Sequence, residues 1–338
     1  IMYSIIMSSV ATGTIITMTS HHWLLAWIGL ELNTLAIIPI IAKQHSPRAT
    51  EATTKYFLTQ AAASATILFA STMNAWHTGT WDISQLTNQP ACTLLTMALA
   101  MKLGLAPLHF WLPEVLQGTT LKTALIIATW QKLAPAALLY LVYDSTSPTI
   151  LLTMGILSTL VGGWGGLNQT QMRKIMAFSS IANLGWMATV LTINPNIMLL
   201  NLALYILMTS PLFLALMFTT SKTIKDLTTT WTISPAITAM ILMLLMSMGG
   251  LPPLTGFIPK WLILQELTTH DLTTTATIMA LSALLSLFFY LRLSYTSTLT
   301  VFPMTTKNTY KWRFQPKLNT TPAAITTAIS LLMLPMTP

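Results

Sequence analysis

The stretch Thr96–Glu114, TMALAMKLGLAPLHFWLPE, places a lysine, Lys102, in the middle of an apolar run long enough for a membrane helix. Gly104 and Pro107 follow within one helical turn or so, which interrupts the backbone ladder beside the charge. A lysine at the centre of a bilayer costs roughly 2.5–3.5 kcal/mol on insertion scales, so a purely structural helix would not carry it without a partner. Ser247–Lys260, SMGGLPPLTGFIPK, repeats the design, with Lys260 just past a second Gly/Pro break. Broken apolar segments in both halves of a chain point to a transport site.

The rest of the chain agrees with a membrane setting. Of 338 residues, 53% are hydrophobic and only 7% charged, and the mean hydropathy is +0.66. A water-soluble domain of this length cannot cover its surface with so few charges. Apolar runs of about 20 residues without strict alternation predict helices rather than a β-barrel. The fold class expected is therefore an all-α polytopic membrane protein.

Eleven spans are expected, near 2–19, 23–42, 53–76, 91–112, 119–143, 148–167, 171–193, 196–219, 234–268 (broken), 273–299 and 322–338. Even-numbered loops carry Lys43, Arg48 and Lys55, then Lys122, Arg173 and Lys174, Lys222 and Lys225, and finally Lys307, Lys311, Arg313 and Lys317. Odd-numbered loops carry almost only Asp82, Asp144 and Asp271. The bias puts the N-terminus on the positive side, cytoplasm or matrix, and an odd span count puts the C-terminus opposite. Residues 1–143 and 144–300 read as two five-helix repeats, each with a broken fourth helix. Residues 301–338 add a loop and a last helix. An odd number of helices per repeat inverts the second relative to the first. No convincing residue-level identity links the halves, so the repeat rests on topology and breaker placement.

Four ionisable residues fall deep in spans: Glu31, Lys102, Lys132 and Lys260. A carboxylate and three amines in hydrocarbon must face one another, polar backbone or water. Burial favours a neutral amine and a nearby carboxylate favours a charged one, so moving Glu31 relative to Lys102 would switch proton affinity. That is the physics of a proton relay; a static ion pair gluing helices is the alternative. The break at Gly249–Pro253 frees carbonyls for water or a cation, or serves as a packing kink. His109 is a further candidate that titrates near neutrality, or a satisfied interfacial histidine. Glu114 reads as a solvated loop carboxylate, and Lys55 and Arg292 as snorkelling side chains near positive-side ends. Lipid-facing Met and interfacial Trp need no cofactor. Gly162–Gly166 reads as a close-packing helix face rather than a phosphate loop.

Several classes are excluded. The net charge of +8 is scattered between spans and forms no nucleic-acid-binding stripe. Cys92 is the only cysteine, which rules out an internal disulfide and any all-Cys zinc or iron–sulfur site. No nucleotide fingerprint or P-loop is present. Asn168-Gln169-Thr170 and Asn319-Thr320-Thr321 fit the glycosylation pattern but fall on the positive side. Met2–Ser20 lacks the pattern of a cleavable signal. Ile1 fits an alternative start codon, as in mitochondrial genomes, or trimming.

With these residues assembled, the chain resembles the antiporter-like membrane subunits of mitochondrial NADH:ubiquinone oxidoreductase, respiratory complex I. The marks are WIGLELN (27–33), KYFLTQ (55–60), AMKLGLAPLHFWLPEV (100–115), TWQKLAP (129–135), GGWGGLNQTQMRKI (162–175) and GGLPPLTGFIPKW (249–261). The animal form of the subunit has eleven helices, three fewer than its bacterial counterparts. The resemblance implies a membrane-arm subunit of the inner mitochondrial membrane, its N-terminus in the matrix and its C-terminus in the intermembrane space. It implies that Glu31 pairs with Lys102, that Lys132 is the central relay amine, and that Lys260 serves the exit path or the neighbouring subunit. No cofactor is expected in this chain; NADH, FMN, iron–sulfur clusters and ubiquinone would be bound by partner subunits. The partners implied are other complex I subunits, above all adjacent antiporter-like ones, and membrane lipids. A scaffold without a proton path and a free-standing cation/proton antiporter are the competing readings.

Overall fold

The computed structural model describes residues 2–43, 45–232, 234–299 and 321–333. Ile1, the loop with Lys307, Lys311, Arg313 and Lys317, the Asn319 sequon and the end of the last span lie outside them. The described residues are helical. Their only β-type pairings are two isolated bridges, His22 with Asp82 and Gln171 with Thr223. The chain divides into two compact units, Ile1–Ser158 and Thr159–Pro338.

The first unit opens with α1 (Met2–Thr19), α2 (Trp23–Ala42) and α3 (Pro47–Thr78). His22 caps α2, its Nδ1 accepting from the Leu24 N–H at 3.2 Å. Ser46 caps α3 ahead of Pro47, and Gly79, at φ +73°, ends it. At 32 residues, α3 is about 48 Å long and overreaches a bilayer core. Then come α4 (Gln89–Leu103), α5 (Trp111–Gly118), α6 (Leu121–Ala128) and α7 (Leu133–Leu141). Within this unit α1 packs on α2 and α7, and α3 on α2, α4 and α5.

α8 (Pro148–Leu167) is followed by α9 (Met172–Leu191), α10 (Pro195–Thr219), α11 (Ile224–Thr228), α12 (Pro235–Gly249), α13 (Phe257–Thr269), α14 (Thr273–Thr298) and α15 (Thr321–Leu332). In the second unit α9 and α10 form the centre, with α12, α13 and α15 against α10. Gly162, Gly165 and Gly166 let α8 close onto its neighbours. A Cβ on Gly162 would meet the Ala182 backbone at 2.6 Å, and one on Gly165 the Phe178 ring at 2.3 Å. Their reading as a packing face holds.

Six helices among the described residues are long and apolar enough to cross a membrane, and Tyr3–Thr19, Pro235–Gly249 and Thr321–Leu331 are shorter apolar ones. The many Ser and Thr residues fit this setting because their hydroxyls donate to carbonyls one turn back, as in Thr14 to Ala11 (2.7 Å), Ser64 to Ala61 (2.9 Å) and Thr209 to Tyr205 (2.8 Å). A polar side chain satisfied within its own helix adds little cost in hydrocarbon.

Candidate functional site

Gly104 ends α4 one residue after Leu103. Its left-handed conformation (φ +83°) lets its N–H reach the carbonyls of Ala100 and Met101, and the Leu105 N–H reaches Ala100 at 3.0 Å. This is the close-out that only glycine makes without strain. Residues 104–110 then run without regular helix, through a cis Ala106–Pro107 bond, until α5 begins at Trp111. The Trp111 indole donates to the Met101 carbonyl at 3.0 Å and ties α5 back across the break.

Lys102 lies in the last turn of α4, where the helix dipole favours a cation. It is 5% exposed, and its Nζ has no protein hydrogen-bond partner. Glu31 on α2 lies within electrostatic reach of Lys102 and of the buried Tyr56, but is not in hydrogen-bond contact with Lys102: Glu31 Oε2 also lacks a partner. The expected couple is therefore brought into range without being locked as an ion pair.

A narrow cavity adjoins the amine, lined by Asn33, Tyr56, Gln60, Lys102, Trp111 and Gln131 among others. Its space suffices for about one water molecule. Lys132, 4% exposed, follows Gln131 on a 3₁₀ turn, Trp130–Lys132, between α6 and α7. A continuous span was expected over 119–143. Pro135 explains the turn: it has no N–H for the carbonyl of Gln131, and its ring crowds that carbonyl. His109 is buried in the loop between α4 and α5 but is not among the residues lining the cavity.

In the second unit Gly250 (φ +81°) ends α12 as Gly104 ends α4, with N–H bonds to Met246 and Ser247. Lys260, in the first turn of α13, folds back and donates from Nζ to the Gly249 carbonyl at 2.9 Å and, weakly, to Met248 at 3.4 Å. The carbonyls freed by the break are thus taken by a lysine.

The two breaks also correspond in residues. GLAPLHFWLPE (104–114) and GLPPLTGFIPK (250–260) share G-L-x-P-L, an aromatic at the start of the next helix, and a Pro before the charged residue. Aligning both breaks on their left-handed glycines brings out this local match, which is confined to the breaks. Asn33, Tyr56, Gln60 and Gln131 were missed as site residues, although amide and hydroxyl groups inside apolar spans are themselves a signal.

The remaining charged candidates sit elsewhere. Lys55 pairs with Glu51 and with Glu114 of α5, all of them exposed, so Glu114 is a helix residue with a partner rather than a loop carboxylate. The Lys55 ammonium that donates to Glu51 holds its carboxyl below the usual range. Arg292 donates to the carbonyls of Leu167 and Gln169, capping the end of α8 rather than reaching only for the membrane surface. Among the described residues, no group of three His, Cys, Asp or Glu side chains converges to hold a metal.

The family model described as NADH:quinone oxidoreductase/Mrp antiporter, TM, matches residues 20–286, and that of the NADH dehydrogenase subunit 2 C-terminus matches residues 287–338. NADH-ubiquinone oxidoreductase chain 2 of Oncorhynchus mykiss is 59% identical over 335 residues, covering 99% of this chain and 96% of that protein. The same-named chain of Xenopus laevis is 55% identical over 338 residues, covering 100% and 98%. A chain in the structure of respiratory complex I from Thermus thermophilus has the same fold at a TM-score of 0.84 and 27% identity, over 99% of this chain and 79% of that one.

Proposed function

The chain belongs to the NADH:quinone oxidoreductase/Mrp antiporter membrane family, in its NADH dehydrogenase subunit 2 branch, and on that premise we propose that Glu31, Lys102, Lys132 and Lys260 carry protons through it. Its setting is the membrane arm of the proton-translocating NADH:ubiquinone oxidoreductase, as a multi-pass subunit of the inner membrane. NADH, FMN, iron–sulfur clusters and ubiquinone belong to partner subunits, and adjacent antiporter-like subunits flank it. Eleven spans, in two inverted five-helix repeats over 1–143 and 144–300 with a last element over 301–338, are the layout proposed. The surplus of Lys and Arg in alternate loops supports a matrix N-terminus and a C-terminus in the intermembrane space.

One observation carries the proton path: the Lys102 ammonium, buried at a helix break, has a carboxylate within range and no bond that holds it. With Glu31 near, the charged amine is favoured. When charge rearrangement elsewhere in the complex draws the pair apart, the proton leaves Lys102. Lys132 takes it up, and Lys102 is left neutral until it is reloaded. Lys260, in the second unit, serves the exit side or the adjoining subunit.

Lys102→Met in the assembled complex tests this, with NADH:quinone turnover and protons moved per NADH as readouts. Loss of pumping is expected; wild-type pumping in a fully assembled variant overturns the path. At Lys260 the two carbonyl bonds favour a second, structural reading. Under that reading, Lys260→Met lowers the amount of complex formed but leaves pumping normal in the complexes that do form.

A further inference from the structure

Three amides line the Lys102 cavity, Asn33, Gln60 and Gln131, and two of them neighbour a relay residue in sequence. Asn33 stands two residues after Glu31 on α2, and Gln131 immediately before Lys132 on the 3₁₀ turn. Both atoms of the Asn33 amide, the Gln131 Nε2 and the Lys102 Nζ are shielded from solvent and lack any protein hydrogen-bond partner. Asn33 is only 2% exposed. Buried polar atoms in that state are costly unless they share a polar guest.

The donor inventory defines the guest. Among the unpartnered atoms there, an ammonium and two amide NH₂ groups donate, and one amide oxygen accepts. A cation beside the ammonium is repelled, and an apolar guest satisfies none of these groups. A water oxygen accepts from several donors at once and offers its own hydrogens to the Asn33 carbonyl or onward. Amides do not titrate near neutrality, so they orient such a carrier without competing for its proton. Their placement also matters. Each sits on the same rigid piece as one titratable group, so a movement of α2 or of the Lys132 turn moves both the proton-binding group and the amide that lines the cavity.

We propose that Asn33 and Gln131 are positioning residues that hold a water between Lys102 and the Lys132 turn, setting the direction in which the Lys102 proton leaves. This rests on the proton path proposed above.

The test compares assembled complexes carrying Gln131→Met, Asn33→Ala, Gln131→Asn and Lys102→Met. Turnover, protons per NADH and the solvent deuterium isotope effect are measured on each, with assembly checked on a native gel. Gln131→Met keeps the length and removes the amide. Asn33→Ala is smaller than the residue it replaces, so it fits the tight α1–α2 contact that Gly13 makes with Asn33. Each is expected to lose about three- to tenfold in coupled turnover, the rate equivalent of about one hydrogen bond, with a raised isotope effect and normal assembly. Gln131→Asn, which restores an amide, recovers part of the loss. Wild-type rates and isotope effects in Gln131→Met and Asn33→Ala, alongside an impaired Lys102→Met, overturn the positioning role alone. An unimpaired Lys102→Met overturns the underlying path. If Gln131→Met does not assemble, Asn33→Ala decides by the same readouts.

Discussion

Replacing Lys102 or Lys260 by methionine keeps the side-chain length and removes one ammonium, yet the structure predicts opposite effects on stability. At Lys102 no protein hydrogen bond is lost, because Nζ makes none. The change removes an insertion cost of roughly 2.5–3.5 kcal/mol and forfeits about 0.3–2 kcal/mol of interaction with the end of α4. Before the attraction of the nearby Glu31 is counted, the net is roughly 0.5–3 kcal/mol of added stability, and losing that attraction reduces the gain. At Lys260 the same insertion saving is offset by a bond to the Gly249 carbonyl at 2.9 Å and a weaker one to Met248. Losing them costs about 2–4 kcal/mol, and leaving those carbonyls unpaired a further 1–3 kcal/mol or so. Lys260→Met is therefore expected to be between neutral and about 4.5 kcal/mol less stable than wild type. The assay is denaturant titration of each chain in mixed micelles, read by tryptophan fluorescence, together with the yield of assembled complex. Should Lys102→Met prove as destabilising as breaking a buried ion pair, about 3–5 kcal/mol, Lys102 would be a structural partner and the reasoning above would fail.

Arg292→Met should uncap the Leu167 and Gln169 carbonyls and lower complex yield while leaving pumping per assembled complex unchanged; Arg292→Lys, lacking the forked guanidinium, should rescue only part of the yield. Gly165→Val should drive a side chain into the Phe178 ring, costing about 1–3 kcal/mol by overpacking, which the same micelle titration would register. Gly104→Ala and Gly250→Ala should each pay about 1–2 kcal/mol for a left-handed alanine. Both new Cβ atoms meet a side chain at 3.0 Å, Leu112 at Gly104 and Lys260 at Gly250, but only at Gly250 does that side chain hold hydrogen bonds across the break, so the yield of Gly250→Ala should fall further.

Much of this was legible in the residues. Hydrophobic content alone dictates a helical membrane chain, and Gly104 and Gly250, each followed by proline, mark where α4 and α12 stop. The glycines at 162–166 announce a close contact because nothing larger fits between packed helices. The 3₁₀ turn at Lys132 was legible too, through Pro135 and its effect on the carbonyl four residues earlier, but the apolar run concealed it. Other features were not legible, for a physical reason: they join residues far apart in sequence. Nothing near Arg292 says that its guanidinium ends α8, and nothing near Glu114 says that Lys55 waits on another helix. The cavity beside Lys102 collects side chains from α2, α3, α4, α5 and the 3₁₀ turn. Its amides and hydroxyls carry no charge to flag them one at a time.

The two breaks share a backbone but place their charge differently, and that difference separates their chemistry. In α4 the lysine precedes the left-handed glycine, so Lys102 rides on the end of a helix, and the Met101 carbonyl is held by the Trp111 indole instead. The amine is left with no bond to give up when its proton departs. In the second break the lysine follows the glycine, at the position that Glu114 holds in the first. From there Lys260 reaches back to the carbonyls of Met248 and Gly249 that the break frees. An ammonium held in this way must break those bonds before it can pass a proton on. In the proton path proposed above, the first break thus presents an ammonium without a protein hydrogen bond and the second an ammonium held by two carbonyls. With the same turn at both places, the order of glycine and lysine along the chain is enough to set the two apart.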